Sequence, residues 1–245
     1  MPHSEESLAF TAPPEVHSFE GLLFDMDGTI IDSTAAIVKH WEEIGREIGV
    51  DPAVILATSH GRRSIDVLRE YDSSKANMEY VSQMEGQIPV KYGQDAVEIP
   101  GSRALLDDLQ KAGAKWTIVT SGTRPLVTGW LDIMKLAHPE NLVTAEDVKN
   151  GKPDPEGYLL GYRRLGLPVE GKPTANTVVF EDAPAGVRAG KAAGFKVVGL
   201  ATTHAVQQLR DAGADWIVRD MTSVSLKSVD KKTGQVSLEI FDALV

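Results

Sequence analysis

Two segments of this sequence combine a run of apolar residues with carboxylates placed where the run ends. Residues 19–25 read FEGLLFD and end at Asp25, and Asp27 follows after one residue. The segment NTVVFED ends in the same way, at Glu181 and Asp182. Short apolar runs of this length are typical of strands that are buried on both faces of a parallel sheet. The sequence therefore predicts a buried sheet with acidic groups at one edge.

Strand and helix patterns alternate through most of the remaining chain. Further strand patterns occur in KWTIVTSG, FKVVGL and ADWIV, and helix patterns or runs of small residues separate them. Alternation of this kind is typical of an α/β fold with a doubly wound, Rossmann-like parallel sheet and helices on both faces. The tail, with SLKSV and VSLEIF on either side of DKKTGQ, predicts a terminal hairpin.

A helical segment interrupts this alternation after the first strand. Helix patterns occur over 37–48, 64–70 and 75–86, and two prolines and two glycines then indicate a linker over 88–101. An insertion at this point predicts a second, smaller domain. The expected units are a loose N-terminal lead-in at 1–18, a core domain at 19–32 and 100–245, and a helical cap domain at 33–99.

The acidic strand ends suggest a metal site. In open parallel sheets ligands bind beyond the carboxyl ends of the strands, so the carboxylates of Asp25, Asp27, Glu181 and Asp182 should converge there. Carboxylates that converge repel one another and need a cation. Oxygen ligands without cysteine or a histidine cluster favour Mg²⁺. A magnesium site with a lysine on a nearby loop, such as Lys152, suits phosphoryl transfer.

Four motifs, in this order and spacing, resemble those of the haloacid dehalogenase-like phosphatase superfamily. They are DMDGT at 25–29, TSG at 120–122, GKPDPE at 151–156 and VVFEDAPAGV at 178–187. The resemblance covers about residues 19–220, and the helical insertion resembles the small helical cap of that family. The segments SHGRR, TSGTR and LATTH are also similar to those of the fungal glycerol-phosphate phosphatases and 2-deoxyglucose-6-phosphate phosphatases.

The resemblance implies a catalytic role for four side chains. Asp25 would be the nucleophile that attacks phosphorus and becomes an aspartyl-phosphate. Asp27 would protonate the leaving alkoxide and then activate water. Ser121 and the backbone N–H of Gly122 would bind the phosphoryl oxygens, and Lys152 would offset negative charge.

The Mg²⁺ ligands that the resemblance implies are Asp25, Asp27, Glu181 and Asp182. Glu181 would bind the metal directly or through a water molecule. Asp182 is also separated by only one residue from Pro184, at the expected start of a helix, so a role as helix N-cap is open for it.

The segment SHGRR within the cap contains three candidate substrate-binding residues, His60, Arg62 and Arg63. An arginine at this place would clamp phosphate or fix the cap against the core carboxylates. His60 would hydrogen-bond a hydroxyl of a polyol. The alternative interpretation is a basic loop that faces solvent.

Charge and composition exclude several classes of function. The net charge of −10 disfavours binding of nucleic acid or of an anionic membrane, while a small anionic phosphate ester remains compatible with a locally positive site. The chain has no cysteine, so disulfides and thiol chemistry are excluded. No stretch approaches the roughly 18 apolar residues of a transmembrane helix, and the acidic N-terminus lacks a signal-peptide pattern. We expect a monomeric cytoplasmic protein.

These observations predict a Mg²⁺-dependent phosphatase of small polyol or sugar phosphates, with glycerol phosphate as the first expected substrate. Three alternatives remain open: a 2-deoxyhexose-6-phosphate phosphatase, a phosphosugar mutase of the β-phosphoglucomutase type, and a non-catalytic sensor of phosphorylated metabolites. A mutase would convert glucose 1-phosphate to glucose 6-phosphate rather than release phosphate. A sensor has no need for both a nucleophile and an acid.

Overall fold

The computed structural model of the chain describes residues 9–167 and 176–245. Within these ranges the helices are α1 (Thr34–Ile48), α2 (Pro52–Ser59), α3 (Ser64–Tyr71), α4 (Met78–Tyr92), α5 (Ser102–Ala112), α6 (Arg124–Met134), α7 (Glu156–Arg164), α8 (Pro184–Ala192) and α9 (Val206–Ala212). The strands are β1 (Glu15–Phe19), β2 (Gly21–Phe24), β3 (Ile31–Asp32), β4 (Val97–Glu98), β5 (Trp116–Val119), β6 (Leu142–Val143), β7 (Thr177–Glu181), β8 (Lys196–Leu200), β9 (Trp216–Val218), β10 (Val224–Val229) and β11 (Val236–Ile240). In this part of the chain, no helix is both long and apolar enough to cross a membrane.

A six-stranded parallel sheet forms the centre of the molecule, with the strand order β6-β5-β2-β7-β8-β9. Successive residues of β2 pack on opposite faces of the sheet. Leu22 and Phe24 belong to one apolar cluster, and Leu23 belongs to the other. Both faces are therefore covered, which explains why this strand is a continuous apolar run. The predicted α/β fold with a doubly wound parallel sheet is confirmed.

The four helices α1–α4 lie between β3 and β4 and have an apolar cluster of their own. Trp41, Ile44 and Ile55 are among its buried members. A separate apolar core is a property of a domain, and it supports the proposed assignment of 33–99 to a cap. Helix α2 within this segment was not predicted, because its residues show little helical periodicity.

The predicted linker over 88–101 begins too early, because α4 continues through Pro89 to Tyr92. Proline in a helix interior removes one backbone hydrogen bond and is destabilising. Tertiary packing compensates here, since Pro89 is buried against α6. A side chain at Gly129 would place its Cβ 2.9 Å from Cγ of Pro89, so the glycine leaves room for the proline ring.

The terminal segments form a second, antiparallel sheet with the strand order β1-β11-β10. The predicted C-terminal hairpin is confirmed by the pairing of β10 with β11. The lead-in at 1–18 was expected to be loose, but its last four residues belong to β1, which pairs with β11 from Glu15 to Phe19. Residues 1–8 of the lead-in lie outside the described residues.

Candidate active site

Three carboxylates meet at the carboxyl end of the central sheet. Strands β2 and β7 are neighbours, with Phe24 paired to Phe180, so the residues that follow these two are brought together. Asp25, Glu181 and Asp182 are all buried, and each has a carboxylate oxygen within 4.8 Å of an oxygen of the other two. The convergence expected from the sequence is therefore observed for these three residues.

Two glycines make this close approach possible. Gly28 has a φ of 89°, and a Cβ atom at this position would collide with the carboxylate of Asp182. Gly186 in α8 lies directly against the carboxylate of Glu181, where any side chain would overlap it. Next to Gly28, the hydroxyl of Thr29 donates to Oδ1 of Asp182 at 3.1 Å. The glycines of the two acidic segments are thus needed for the site itself.

Lys152 joins two of the three carboxylates. Its Nζ atom lies 2.5 Å from Oδ1 of Asp25 and 2.7 Å from Oε1 of Glu181, and its side chain is only 7% exposed. Burial opposes the charge on Lys152, but attraction by Asp25 and Glu181 outweighs burial and raises its pKa above the ordinary value. Lys152 therefore remains a cation in this pocket.

Each of the two carboxylate oxygens of Glu181 accepts two hydrogen bonds. Oε1 accepts from Lys152 and from the hydroxyl of Tyr158, the latter at 2.9 Å. Oε2 accepts from the backbone N–H groups of Asp182 and Ala183, at 3.0 and 2.9 Å. This arrangement positions Lys152 and fixes the turn into α8. It also shows that Asp182 is not the N-cap of α8, since the N-cap is Ala183 and has no side-chain cap bond.

Asp25 is buried and Asp27 is partly buried, and the two carboxyl groups differ in their partners. Burial raises the pKa of Asp25 well above its ordinary value, and the nearby charge of Lys152 opposes this. Burial also raises the pKa of Asp27, against a hydrogen bond from Ser33 to Oδ1 at 2.5 Å. An acid whose pKa is raised holds its proton more readily near neutral pH, as a general acid requires. Among the described residues, Asp27 lies outside the groups of carboxylates and imidazoles that could hold a metal.

The composition of the acidic cluster fits a divalent metal such as Mg²⁺. Three buried carboxylates are paired with one lysine, and two imidazoles, those of His60 and His204, lie 3.1 and 4.0 Å from Asp182. Burial lowers the pKa of His204, which disfavours its charged form. With Lys152 and His60 protonated, the three carboxylates still leave an uncompensated negative charge in a buried site, which is costly. An all-oxygen carboxylate set is the donor chemistry that Mg²⁺ prefers.

The loop after β5 carries Ser121 and Gly122 to the same edge. The hydroxyl of Ser121 donates to the carbonyl oxygen of Gly61 at 2.8 Å. The N–H of Gly122, which the resemblance implies as a donor to a phosphoryl oxygen, donates in this structure to the hydroxyl of Thr120 at 3.0 Å. This bond closes the turn through the side chain of Thr120.

His60 reaches from the cap segment to the core carboxylates. Its Nε2 atom lies 3.1 Å from Oδ2 of Asp182, and its ring packs edge-on to His204 at 4.8 Å between centroids. Burial opposes protonation of His60, but the hydrogen bond and charge of Asp182 raise its pKa above the ordinary value. His60 is thus held by a proposed metal ligand, and His204 joins it although no spacing in the sequence predicted this.

The two neighbouring arginines have separate roles in the structure. Arg63 is 5% exposed and donates to the carbonyl oxygens of Val148 and Lys149, each at 2.8 Å, and to Asp66 at 2.7 Å. It therefore fixes the cap segment to the loop that leads to Lys152. A second interpretation of Arg63, as a phosphate clamp, is not favoured because its guanidinium is fully engaged there.

Arg62 lies at the rim of the site. Its guanidinium pairs with Glu70, which is half exposed. It lines the cavity described below, whereas Arg63 does not. The chain turns within SHGRR at Gly61, whose φ is 74° and which approaches Ala183 of the core.

A cavity of about 230 Å³ lies between the cap segment and the sheet edge. Its core end is formed by Asp25, Asp27 and Ser121. Its cap end is lined by side chains of both polar and apolar character: His40, Ser59, Ser64, Glu85, Ile37, Trp41, Leu56, Ile88 and Leu126. A phosphate ester placed with its phosphorus near Asp25 would have its leaving group at the cap end.

Several side chains at this site were not identified from the sequence. Tyr158 lies six residues after Lys152 in the same segment, and Thr29 completes DMDGT, so both were within reach of a motif-based prediction. Glu85 lies within the helix pattern predicted over 75–86, and nothing in its spacing indicates a place in the cavity. Helix packing alone brings Glu85 to the site.

Residues 22–200 match the haloacid dehalogenase-like hydrolase family, and the chain belongs to that family. The chain is 42% identical over 239 residues to glycerol-1-phosphate phosphohydrolase 1 of Saccharomyces cerevisiae, covering 96% of this chain and 95% of that protein. It is 40% identical over 218 residues to 2-deoxyglucose-6-phosphate phosphatase 1 of the same yeast, covering 83% and 89%. A crystal structure of a hydrolase from Pseudomonas syringae superimposes with a TM-score of 0.71 at 27% identity, covering 82% of this chain and 94% of the other. The resemblance expected from the four motifs is confirmed.

Proposed function

We propose that this protein is a Mg²⁺-dependent phosphatase of small polyol or sugar phosphates, with glycerol phosphate as the first substrate to test. The observation that carries the proposal is the placement of Asp25 at the core end of a cavity, held by Lys152 and beside two further carboxylates. The names of the yeast relatives support the same class of substrate.

In the first step Asp25 attacks phosphorus. A carboxylate oxygen of Asp25 forms a bond to phosphorus while the bond from phosphorus to the ester oxygen breaks. The departing alkoxide takes a proton from Asp27, whose pKa is raised by burial, while the charge of Lys152 favours the ionised form of Asp25. Lys152 and the hydroxyl of Ser121 stabilise the phosphoryl oxygens as charge develops on them. For this, Ser121 must exchange its present bond to Gly61 for one to the substrate.

In the second step water completes the reaction. Asp27, now a carboxylate, takes a proton from a water molecule whose oxygen attacks phosphorus. The bond between phosphorus and the Asp25 oxygen breaks, which releases phosphate and restores both aspartates to their starting states. Ser33 supports this role because its hydrogen bond holds the carboxylate of Asp27 in one orientation.

We further propose that Mg²⁺ is held by Asp25 and Asp182, with Glu181 acting through its neighbours. When bound, Mg²⁺ would offset the charge of the cluster and of the phosphoryl oxygens. Glu181 supports the site by orienting Lys152, since both of its oxygens are occupied by donors. Asp27 has no contact with the carboxylate cluster through its side chain, so its contribution to metal binding is not supported by this geometry.

A phosphate-release assay tests this proposal. The substrates are glycerol phosphates, hexose 6-phosphates, 2-deoxyhexose 6-phosphates and glucose 1-phosphate, each with Mg²⁺ and with excess chelator. We expect release from polyol or sugar phosphates that is lost with the chelator and restored by Mg²⁺. Ca²⁺ should restore much less, because its larger and looser coordination misplaces the reacting groups.

Three results of the same assay would contradict the proposal. Full activity in excess chelator would exclude the metal. Conversion of glucose 1-phosphate to glucose 6-phosphate without net phosphate release would identify a mutase. Absence of turnover on every substrate would favour the sensor.

A further inference from the structure

Glu85 is a buried carboxyl group in the wall of the substrate cavity. It lies in α4, is 4% exposed and lines the cap end. One oxygen accepts from the hydroxyl of Ser64 at 2.5 Å and the other from the backbone N–H of Thr123 at 2.7 Å. In the described part of the chain, no lysine, arginine or histidine forms an ion pair with it.

A carboxyl group in this position is costly unless it has a partner. Burial raises the pKa of Glu85 from 4.5 to about 7, against the hydrogen bonds from Ser64 and Thr123. A glutamine of the same length would accept from the N–H of Thr123 through its oxygen and donate through its NH2 group to the hydroxyl of Ser64, with less desolvation cost. Holding α4 against α6 therefore does not by itself require an acid at position 85.

An ionised carboxylate offers about four acceptor positions, and Glu85 uses two of them. The remaining acceptor positions can bind a ligand, because the side chain of Glu85 lines the cavity. A hydroxyl group is the ligand group that fits, because it donates to a carboxylate and carries no charge. A carboxylate or second phosphate on the ligand would instead be repelled.

Among the described residues that line the cavity, the cationic candidates His60 and Arg62 are each paired with another carboxylate, Asp182 and Glu70 respectively. His40 also lines it, and burial lowers the pKa of His40 from 6.5 to about 4, so its imidazole is neutral at pH 7. Ser59 adds another hydroxyl, and apolar side chains such as Trp41 and Leu56 fill the space between. This lining fits carbon atoms that bear hydroxyls.

We propose that Glu85 and Ser64 form a hydroxyl-binding subsite at the cap end, which accepts a neutral polyol leaving group and excludes substrates that carry a second anionic group. This inference rests on the proposed phosphatase function and adds the residue that selects the leaving group. Glu85 accepts a hydrogen bond from a hydroxyl of the substrate. Ser64 holds the carboxylate in place for that contact.

The wild-type enzyme tests the exclusion directly. Glycerol phosphate and phosphoglycolate are both small, but the leaving group of phosphoglycolate carries a carboxylate. We expect kcat/KM for glycerol phosphate to exceed that for phosphoglycolate by about 30-fold or more, as a repulsive contact in a buried subsite requires. Equal values would overturn the subsite.

Glu85→Gln tests the residue itself. The substitution should lower kcat/KM for glycerol phosphate about 10-fold through loss of a charge-assisted hydrogen bond. It should also raise kcat/KM for phosphoglycolate, because the repulsion is removed. The ratio of kcat/KM for glycerol phosphate to kcat/KM for phosphoglycolate should therefore fall on the order of 10- to 100-fold. Glu79→Gln, on the exposed side of the same helix, is the matched control and should leave the ratio unchanged.

The outcomes separate the two proposals. If wild type releases phosphate but Glu85→Gln changes both substrates by one common factor, Glu85 is merely structural and the subsite is overturned. If wild type releases phosphate from neither substrate, the phosphatase proposal fails and the subsite fails with it. If Glu85→Gln does not fold, Ser64→Ala replaces it, and the same ratio should fall about threefold through loss of one neutral hydrogen bond. An unchanged ratio in Ser64→Ala would also contradict the subsite.

Discussion

The core end and the cap end of the cavity differ in how the fold supplies their polar side chains. At the core end, Asp25 and Asp27 follow β2. Glu181 is the last residue of the neighbouring strand β7, and Asp182 follows it. At the cap end, polar side chains come from separate helices, with Glu85 on α4 as one of them. Sheet topology thus determines the chemistry, and helix packing determines the space for the leaving group.

The two ends also differ in charge pairing. Asp25 at the core end is paired with a buried lysine. Glu85 at the cap end has a hydroxyl and an N–H as its partners. Substitutions at the core end should therefore affect every substrate, whereas substitutions at the cap end should change the choice among substrates. The following variants test that division.

The largest effect should come from Asp25→Asn. The amide cannot act as the nucleophile, so kcat should fall on the order of 10⁴-fold or more on all substrates. The fold should remain, because asparagine has the same shape and its loss of charge relieves burial of a carboxylate. Phosphate release and thermal unfolding measured on the same preparation check both statements. Residual activity within tenfold of wild type would exclude Asp25 as the nucleophile.

Asp27→Asn should have a large effect that depends on the leaving group. Loss of a general acid costs about 10²- to 10⁴-fold for an alkyl phosphate. An aryl phosphate needs little protonation of its departing oxygen, so its loss should be smaller. The check is kcat/KM for glycerol phosphate and p-nitrophenyl phosphate, under conditions in which the chemical step limits both. Equal losses would show that Asp27 is not the acid.

Arg63→Ala should have an intermediate effect through the attachment of the cap. It removes charge-assisted hydrogen bonds to the loop before Lys152, each worth roughly 1.5–3 kcal/mol. Loss of one such bond from the closed state would lower kcat/KM about 10- to 150-fold. Arg62→Ala is the matched control, and it should stay within about threefold because its partner Glu70 is exposed. Equal effects of the two variants would contradict the assignment of Arg63 as the attachment.

Glu85→Gln should also change the dependence of stability on pH. Because the folded-state pKa of about 7 lies above the ordinary 4.5, the folded chain holds a proton in this range that the unfolded chain has lost. The contribution of Glu85 to stability is thus fully present below pH 4.5 and is lost as pH rises through 7. The free energy of unfolding of the variant, minus that of wild type, should increase by on the order of 2 kcal/mol as the pH rises from 5 to 8.

Denaturant unfolding of both proteins at each pH measures this difference. His40 titrates in both proteins and its contribution cancels in the comparison, whereas the charge of Asp27 contributes to the raised pKa of Glu85 and is therefore part of the measured difference. Parallel pH profiles would show that Glu85 is not buried as an acid.

The core end was largely predictable from the sequence, and the cap end was not. Residues that are close in sequence, such as Asp25 and Asp27, are also close in the structure. Parallel strands have their carboxyl ends at the same edge of the sheet, which brings the acidic ends of different strands together. The hydrogen bond from Gly122 to Thr120 was missed because turn closure by a side chain depends on local geometry rather than on residue type.

Positions at the cap end depend on how helices rotate and pack. The continuation of α4 through Pro89 shows the same limit, since it relies on the space left by Gly129 on a different helix. The same helix carries Glu85, and the helix pattern predicted over 75–86 includes it without indicating which side of the helix faces the cavity. Local propensity gives way here to tertiary contact.

The stereochemical course at phosphorus tests the central claim most directly, namely that the phosphoryl group passes through Asp25. The measurement uses a thiophosphate ester whose phosphorus carries sulfur and two different oxygen isotopes, together with water that carries the third oxygen isotope, so that the released inorganic thiophosphate is chiral. Two successive in-line displacements, first by Asp25 and then by water, each invert phosphorus. We therefore predict overall retention of configuration. Overall inversion would show a single displacement by water and would contradict the proposed role of Asp25.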